Sequence, residues 1–388
     1  MPSSRLDRRH VLQLFAAAPL GAALAAPSGC APADLPDPIA AWRSPGAGEA
    51  DPRRHALAHA ILAPNPHNMQ PWLVELTGAD TLTLRADLTR LLPATDPPNR
   101  QITIGCGAFL ELLDIAAREN GHRAEINLWP EGEPQPRLDA RPIANVRLVA
   151  DPTIAKDPLY AEIVRRRTNR MKYDLAAPPS AATLDQVAAQ AGGAGLTYGH
   201  TATPAETARM RDLVWRAWTR ETATPAALAE SVAVMRIGKA EIAQHRDGIS
   251  IDGPLVPLLK AIGALDRKAL LDPNSQANAE GAKPWKAMAD TSPAFLWMRA
   301  GDNSRAAQIA VGRAYARLNL AANAAGLGIH PWSMPLQEYA EVGDLYRETQ
   351  ALLGATPEAP IQMLVRIGRP LEDQPPAPRR GLAEHLRA

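Results

Sequence analysis

Apolar positions recur with the helical period in two stretches of the chain that look alike. From Gly107 to Gly121 the sequence reads GAFLELLDIAARENG, with Phe109, Leu112, Leu113, Ala116 and Ala117 on one face. From Gly312 to Gly326 it reads GRAYARLNLAANAAG, and Val311, Tyr315, Leu318, Ala322 and Ala325 make the matching stripe. Each predicts a helix stopped by a glycine. Downstream of each lies a run rich in β-branched residues and bounded by prolines, Pro142 to Pro152 (PIANVRLVADP) and Pro360 to Pro370 (PIQMLVRIGRP), and each predicts a strand. The same two elements in the same order imply duplication of one α+β unit. The first lobe is assigned to residues 53–152 and the second to 153–388. The second lobe carries an insertion of about 92 residues, placed at about 205–300. Within it Thr207 to His245 is helix-like, while Gly248 to Pro257 and Asp272 to Pro284 are rich in loop formers. The insertion reads either as a lid or as an added helical layer.

Composition narrows the class. Of 388 residues 46% are hydrophobic, enough for large cores, and only 4% are aromatic, which points to close helix packing around alanine. Lys and Arg number 42 against 41 Asp and Glu, so no overall field would draw in nucleic acid. Two cysteines, Cys30 and Cys106, exclude a disulfide scaffold and a multi-cysteine metal site. At the N-terminus, Arg8 and Arg9 precede an apolar run from Val11 to Ala26 that is too short to span a bilayer as a helix. The arrangement resembles a twin-arginine export signal over residues 1–30. Two endings fit it: cleavage after Ala23-Leu24-Ala25, or a lipobox-like Ser28-Gly29-Cys30 that would lipidate Cys30 and tether the protein to a membrane. Residues 31–52 read as a linker. The expected location is therefore the periplasm, with or without a lipid anchor.

Two stretches have the chemistry to hold a ligand. The segment EIVRRRTNRMKYD, residues 162 to 174, places Arg166, Thr168 and Arg170 at alternate positions, on one side if extended. Two guanidiniums and a hydroxyl suit a phosphate, because Arg meets phosphate oxygens in bidentate fashion. A solvated basic helix end is the other reading of the same residues. The segment AILAPNPHNMQPW, residues 60 to 72, is a loop carrying His67, Asn68 and Gln70, whose amides both donate and accept; they suit a flavin pyrimidine edge, and a self-capped turn is the other reading.

These residues carry a resemblance to the nitroreductase-like FMN oxidoreductases, in particular to their duplicated single-chain branch, and it covers most of residues 53–388. Arg166, Thr168 and Arg170 are similar to the family's R-x-S-x-R start, with Thr for Ser, and Asn68, Gln70, Pro71 and Trp72 match its N-x-Q-P-W loop. GLGIHPWSMP, residues 326 to 335, resembles the loop that approaches the flavin N5 edge, pointing to Pro331, Ser333 and Met334. Pro378, Arg379, Arg380 and Leu382 resemble a C-terminal segment that helps hold the phosphate. The resemblance implies a nitroreductase-like α+β fold of two tandem lobes, mainly antiparallel sheets with packed helices, forming an intrachain pseudo-dimer. It implies one composite FMN site, with the cradle from the second lobe and HNMQPW from the first. The first lobe's own start, RRHALAH, lacks the R-x-S/T-x-R spacing, so a second site is not expected.

The resemblance implies an FMN-dependent oxidoreductase passing electrons or hydride through flavin N5 to a small acceptor such as a quinone or nitro compound. The protein would act as a monomer. No side chain need act as acid or base, so no catalytic residue is assigned, and no metal is expected. Export would separate the site from NAD(P)H, which leaves the electron donor open. A non-catalytic FMN-binding or sequestering protein and a periplasmic ligand-binding protein are the rival readings. His55 and His59 have the spacing of a metal pair but lack the Glu of H-E-x-x-H and a third ligand, and read as surface histidines. Cys106 reads as a small packed thiol. Trp215, Trp218 and Trp285 line a lid or fill core.

Overall fold

The computed structural model describes residues 35–193 and 195–387. The export-signal segment, Cys30 and residues 31–34 of the linker lie outside the described residues. In chain order the first lobe runs α1 (Pro52–Ala60), β1 (Trp72–Thr77), β2 (Thr81–Ala86), α2 (Arg100–Glu119), β3 (His122–Leu128) and β4 (Ala144–Ala150). Then follow α3 (Ala181–Ala191), β5 (Leu196–His200), α4 (Pro204–Ala223), α5 (Pro225–Ala233), β6 (Met235–Ile237), α6 (Lys239–His245) and β7 (Ile249–Ile251). The chain continues through α7 (Val256–Ala261), α8 (Arg267–Leu271), α9 (Gln276–Asp290), β8 (Ala294–Ala300), α10 (Arg305–Ala324), β9 (Gly328–Pro331), α11 (Gly343–Leu352), β10 (Ile361–Gly368) and β11 (Leu386–Arg387).

The architecture is α+β with mainly antiparallel sheets. One sheet has the order β11-β1-β2-β4-β3 and the other β5-β8-β10-β9. The C-terminal strand β11 crosses back to lie parallel to β1, pairing Leu386 with Val74, so the end of the chain completes the first lobe's sheet. Within the insertion β6 and β7 make a short parallel ribbon.

The predicted helices are α2 and α10, and they pack against each other at the centre of the molecule. Both end where a glycine with positive φ follows, Gly121 at 68° and Gly326 at 71°. At the crossing, a Cβ on Gly107 would strike the Ile309 carbonyl and one on Gly312 would strike the Ile104 carbonyl. Only hydrogen at these two positions lets the backbones approach so closely. The predicted stripes face this contact and the flanking core, where Phe109, Leu112, Leu113, Leu318 and Ala322 are fully buried, except that Ala325 follows the end of α10 and is exposed.

A reciprocal pair of arginines fastens the crossing. Arg100, the first residue of α2, reaches into the second lobe, with Nε on Glu338 at 2.9 Å and Nη1 on the Gln362 carbonyl at 2.9 Å. Arg305, the first residue of α10, reaches into the first lobe, donating to the carbonyls of Pro98 at 2.6 Å and Pro136 at 2.9 Å. Glu133 of the first lobe accepts the N–H groups of Arg305 and Ala306, offsetting free donors at the α10 N-terminus.

The structure corrects two local expectations. Asp272 to Pro284 is not a loop throughout: Ser275 caps α9, which runs on through Pro284, where the missing N–H removes one helix bond without ending the helix. His59 is not a surface histidine, while His55 is half-buried. His59 is only 3% exposed and bonds Tyr160 Oη at 2.9 Å through Nε2, and burial lowers its pKa to about 4. Cys106 is a fully buried thiol inside α2, and burial pushes its pKa up to about 12.

Because the crossing tolerates no side chain, Gly312→Val is expected to lower the unfolding free energy by about 2–4 kcal/mol or to prevent folding. Urea unfolding followed by far-UV circular dichroism checks this, and a change under 0.5 kcal/mol would contradict the packing described.

Candidate functional site

The Arg-rich segment leaves a short helical turn at 160–162 and becomes extended alongside β9. Thr168 pairs with Ile329 as an isolated parallel bridge, and the Asn169 N–H donates to the Ile329 carbonyl at 2.8 Å. This pairing sets two sequence-predicted stretches, 166–170 and 328–334, side by side. Arg166 turns inward, is 2% exposed, and has a single bond, from Nη2 to the Leu62 carbonyl at 2.8 Å. Its Nε and Nη1 are buried without a partner. Arg170 points into a cavity, and its side chain has no hydrogen-bonded partner among the described residues; its guanidinium lies 5.9 Å from the Trp285 ring centroid. Tyr315, from α10, brings its ring to the same wall and is 3% exposed.

The second stretch is a strained loop. His67, Asn68 and Gln70 all have positive φ, 46°, 53° and 52°. Asn tolerates this region, whereas His and Gln do so at a cost that the surroundings must offset. Asn65 closes the loop by accepting the Gln70 N–H at 2.7 Å. Gln70 is fully buried between Arg246 and Arg380, donating to the carbonyl of the first at 2.8 Å and accepting the backbone N–H of the second at 3.0 Å. Asn68 donates to the Pro378 carbonyl at 3.0 Å and accepts from Arg379. Arg379 also holds the carbonyls of Ile61, Leu62 and Ala63, and the end of α1 is tied down by it. Arg380 donates to the Gln70 carbonyl at 2.8 Å.

These elements surround a cavity of about 380 Å³. That is within the usual range for small-molecule sites, about 300–1,000 Å³. Of the sequence-predicted residues, His67, Thr168, Arg170, Pro331, Ser333 and Met334 line it. Arg166 is not part of the lining; it is buried with unmet donors and acts electrostatically on Tyr315, which does line the cavity. Asn68, Gln70, Arg379 and Arg380 do not line it: their polar atoms bind the chain, where they shape the loop and anchor the C-terminal segment. Sequence reasoning missed Arg100, Tyr315, His330 and Glu221, which also line the cavity. Tyr315 was legible as the lone aromatic in an alanine-rich stripe, but nothing in the sequence marked Glu221.

The insertion supplies the roof. Trp218, Leu228, Met235, Ile251 and Trp285 face the cavity, and indole rings stack behind it, Trp215 on Trp218 at 5.0 Å and Trp218 on Trp285 at 5.9 Å. Besides the bond from Gln70 to the Arg246 carbonyl, three contacts pin this roof to the first lobe. Arg90 meets Asp247 at 2.6 Å, the Gly248 N–H donates to the Asn68 carbonyl at 3.1 Å, and Glu230 accepts from Ala94 N, Thr95 N and Thr95 Oγ1 at 2.6–3.0 Å.

The cradle wall is cationic without a matching carboxylate. Burial lowers the pKa of Arg166 to about 10, Arg170 is solvent-exposed on the cavity wall, and both are protonated at neutral pH. Burial, aided by the Arg170 charge, brings His67 to about 4, and burial with Arg366 and Arg170 takes His330 well below its usual range. Both imidazoles are therefore neutral at pH 7. An anion bound here would gain the two unmet donors of Arg166 and the unpaired Arg170 guanidinium.

No protein-family model matches the chain. A curated Mycobacterium tuberculosis protein described as "Putative NAD(P)H nitroreductase Rv3131" is 28% identical over 87% of this chain and 91% of its own length. A second from the same organism, "Putative NAD(P)H nitroreductase acg", is 28% identical over 86% of this chain and 96% of its own. Among solved structures, the FMN-dependent nitroreductase NfnB of Mycobacterium smegmatis is 19% identical, with a TM-score of 0.36 over 58% of this chain and 96% of that one. The resemblance carried by the motifs is thus borne out along nearly the whole length of the mycobacterial relatives.

The two classes of arginine should separate experimentally. Arg379→Ala removes the guanidinium that ties the Ile61, Leu62 and Ala63 carbonyls to the C-terminal segment and is expected to lower the unfolding free energy by about 2–4 kcal/mol. Arg170→Ala breaks no bond among the described residues and is expected to stay within about 0.5 kcal/mol of the parent. Urea unfolding of both variants measures this.

Proposed function

We propose that the chain is an FMN-dependent oxidoreductase of the nitroreductase type, with the flavin in the cavity between the two lobes and under the roof. The observation that carries this reading is the unmet Arg166 guanidinium, whose Nε and Nη1 are buried without partners, together with Arg170, which is exposed and faces the cavity unpaired. With Thr168 they would hold the FMN phosphate, and neutral His67 with the Pro331 to Met334 segment would border the ring. When bound, FMN supplies hydride or electron transfer through N5 of its ring. The chain's part is to neutralise the phosphate, orient the ring against β9, and exclude bulk water beneath the tryptophans. The names of the relatives and neighbours support the cofactor and the reaction class. Asn68, Gln70, Arg379 and Arg380 act one step away, by holding the loop that carries His67.

The acceptor is a small molecule such as a quinone or nitro compound, and the donor is open. We infer export through residues 1–30 with tethering at Cys30 if that residue is lipidated, and division into lobes 53–152 and 153–388. Among the described residues no helix is long and apolar enough to cross a membrane. The pinned roof favours one second reading, a protein that holds FMN without turning over. Steady acceptor reduction with any reductant sinks it.

Purified protein is expected to carry about one FMN per chain and to bind riboflavin, which lacks the phosphate, at least about 100-fold more weakly. In the Arg166→Ala, Arg170→Ala double variant the two ligands should bind alike. Fluorescence titration measures both, and equal affinities in the parent would remove the phosphate assignment.

A further inference from the structure

The roof carries an ionisable group that the flavin reading does not use. Glu221, near the end of α4, is 6% exposed and lines the same cavity as Arg170 and Pro331. Its Oε2 accepts from Gln337 Nε2 at 2.6 Å, and its Oε1 has no hydrogen-bond partner among the described residues. Trp218, Leu228, Met235 and Leu336 are apolar parts of the same lining, which also holds the hydroxyls of Thr222, Ser231 and Ser250, with the Ser231 and Ser250 Oγ atoms buried without a partner. No cation pairs with the carboxyl. Glu230 on α5 is the nearest acid acting on it and is itself held by Ala94 and Thr95; Arg100 on α2 is held by Glu338; Tyr339, in the loop before α11, is neutral, its pKa raised mainly by burial. Burial, with a smaller push from Glu230, raises the Glu221 pKa to about 7. A carboxyl with one oxygen held, the other free towards an apolar cavity, and no compensating charge has the makings of a proton donor.

Resting on the flavoenzyme reading, the geometry points to Glu221 as the group that binds a carbonyl oxygen of a quinone-class acceptor and delivers the proton that completes its reduction. One acceptor oxygen gains a hydride, two electrons and one proton, from the reduced flavin. The O–H bond of Glu221 breaks and its proton joins the other acceptor oxygen, giving the hydroquinone. The carboxylate left behind regains a proton from water once the product leaves. Gln337 is the positioning residue, since its amide fixes the orientation of the carboxyl, and the Ser231 hydroxyl is a second donor within the same wall.

The test uses the full chain as purified and a water-soluble 1,4-naphthoquinone as the probe. Its dissociation constant is measured by calorimetry at pH 6 and pH 8.5, without reductant, for the parent and for Glu221→Gln. Below its pKa the carboxyl donates to the quinone oxygen, and above it the carboxylate repels that oxygen. The parent should therefore bind about tenfold more weakly at pH 8.5 than at pH 6. Glu221→Gln keeps a donor and cannot ionise, so its affinity should not change with pH. A parent affinity that ignores pH, or a variant that keeps the parent's pH dependence, overturns the proposal. Should the variant fail to fold, infrared difference spectra of the parent between the two pH values must show loss of a protonated carboxyl on raising pH, altered when the quinone is bound; an unaltered band overturns it equally. FMN content, measured on the same samples, reports separately on the flavoenzyme reading. Bound flavin with pH-independent quinone affinity leaves that reading standing and removes Glu221 from it.

Discussion

The contact on which the rest of the structure depends is the crossing of α2 and α10 at Gly107 and Gly312. It brings two backbones so close that a single added carbon on either side would meet a carbonyl oxygen. The approach lets Arg100 and Arg305, at equivalent places in the repeat, each bind backbone carbonyls of the other lobe. It also fixes the cavity, since Ile104 and Gly105 of α2 face Tyr315 of α10 across one wall. A looser crossing would separate the phosphate-binding side chains from the loop that carries His67.

The repeat is symmetric in its scaffold and asymmetric in its chemistry. At the start of the second lobe, Arg166 and Arg170 are left with unmet donors. At the start of the first, Arg53 is taken up by Asp51 and by the carbonyls of Gly78 and Thr81, and His59 binds the His55 carbonyl and the Tyr160 hydroxyl. Arg53 and His59 are thus engaged by the chain, and among the described residues the one buried unmet donor or acceptor there is the His55 Nδ1. The insertion adds to the asymmetry, because it grows from the second lobe yet is fastened to the first through Asp247 and Glu230.

Much of this was legible from the chain. The two stripes and the two proline-bounded strands follow from local periodicity, which burial at the helix crossing and in the sheets enforces. The R-x-T-x-R segment was legible because alternation along an extended segment needs no tertiary information. The roles of Asn68, Gln70, Arg379 and Arg380 were not, because they depend on which carbonyls lie within reach after folding. A motif names the residues that meet, and the partners decide whether they face a ligand or hold the chain. Glu221 was illegible for the same reason: on α4 it reads as an ordinary helix-surface acid, and only the packing of α5 and of the segment around Gln337 buries it.

The distribution of unmet hydrogen bonds argues that the cavity is built for an occupant. Folding removes Arg166 from water and returns one bond for the five N–H groups it buries, a cost of several kcal/mol unless something else completes the set. Arg379, equally buried, shows that this chain can satisfy a guanidinium with backbone carbonyls when no ligand is needed. The two arginines share the Leu62 carbonyl, so they experience the same region of the fold with opposite outcomes. An anion at Arg166 and Arg170 would bind the native state alone and return the missing stabilisation, which couples occupancy of the cavity to the stability of the whole chain.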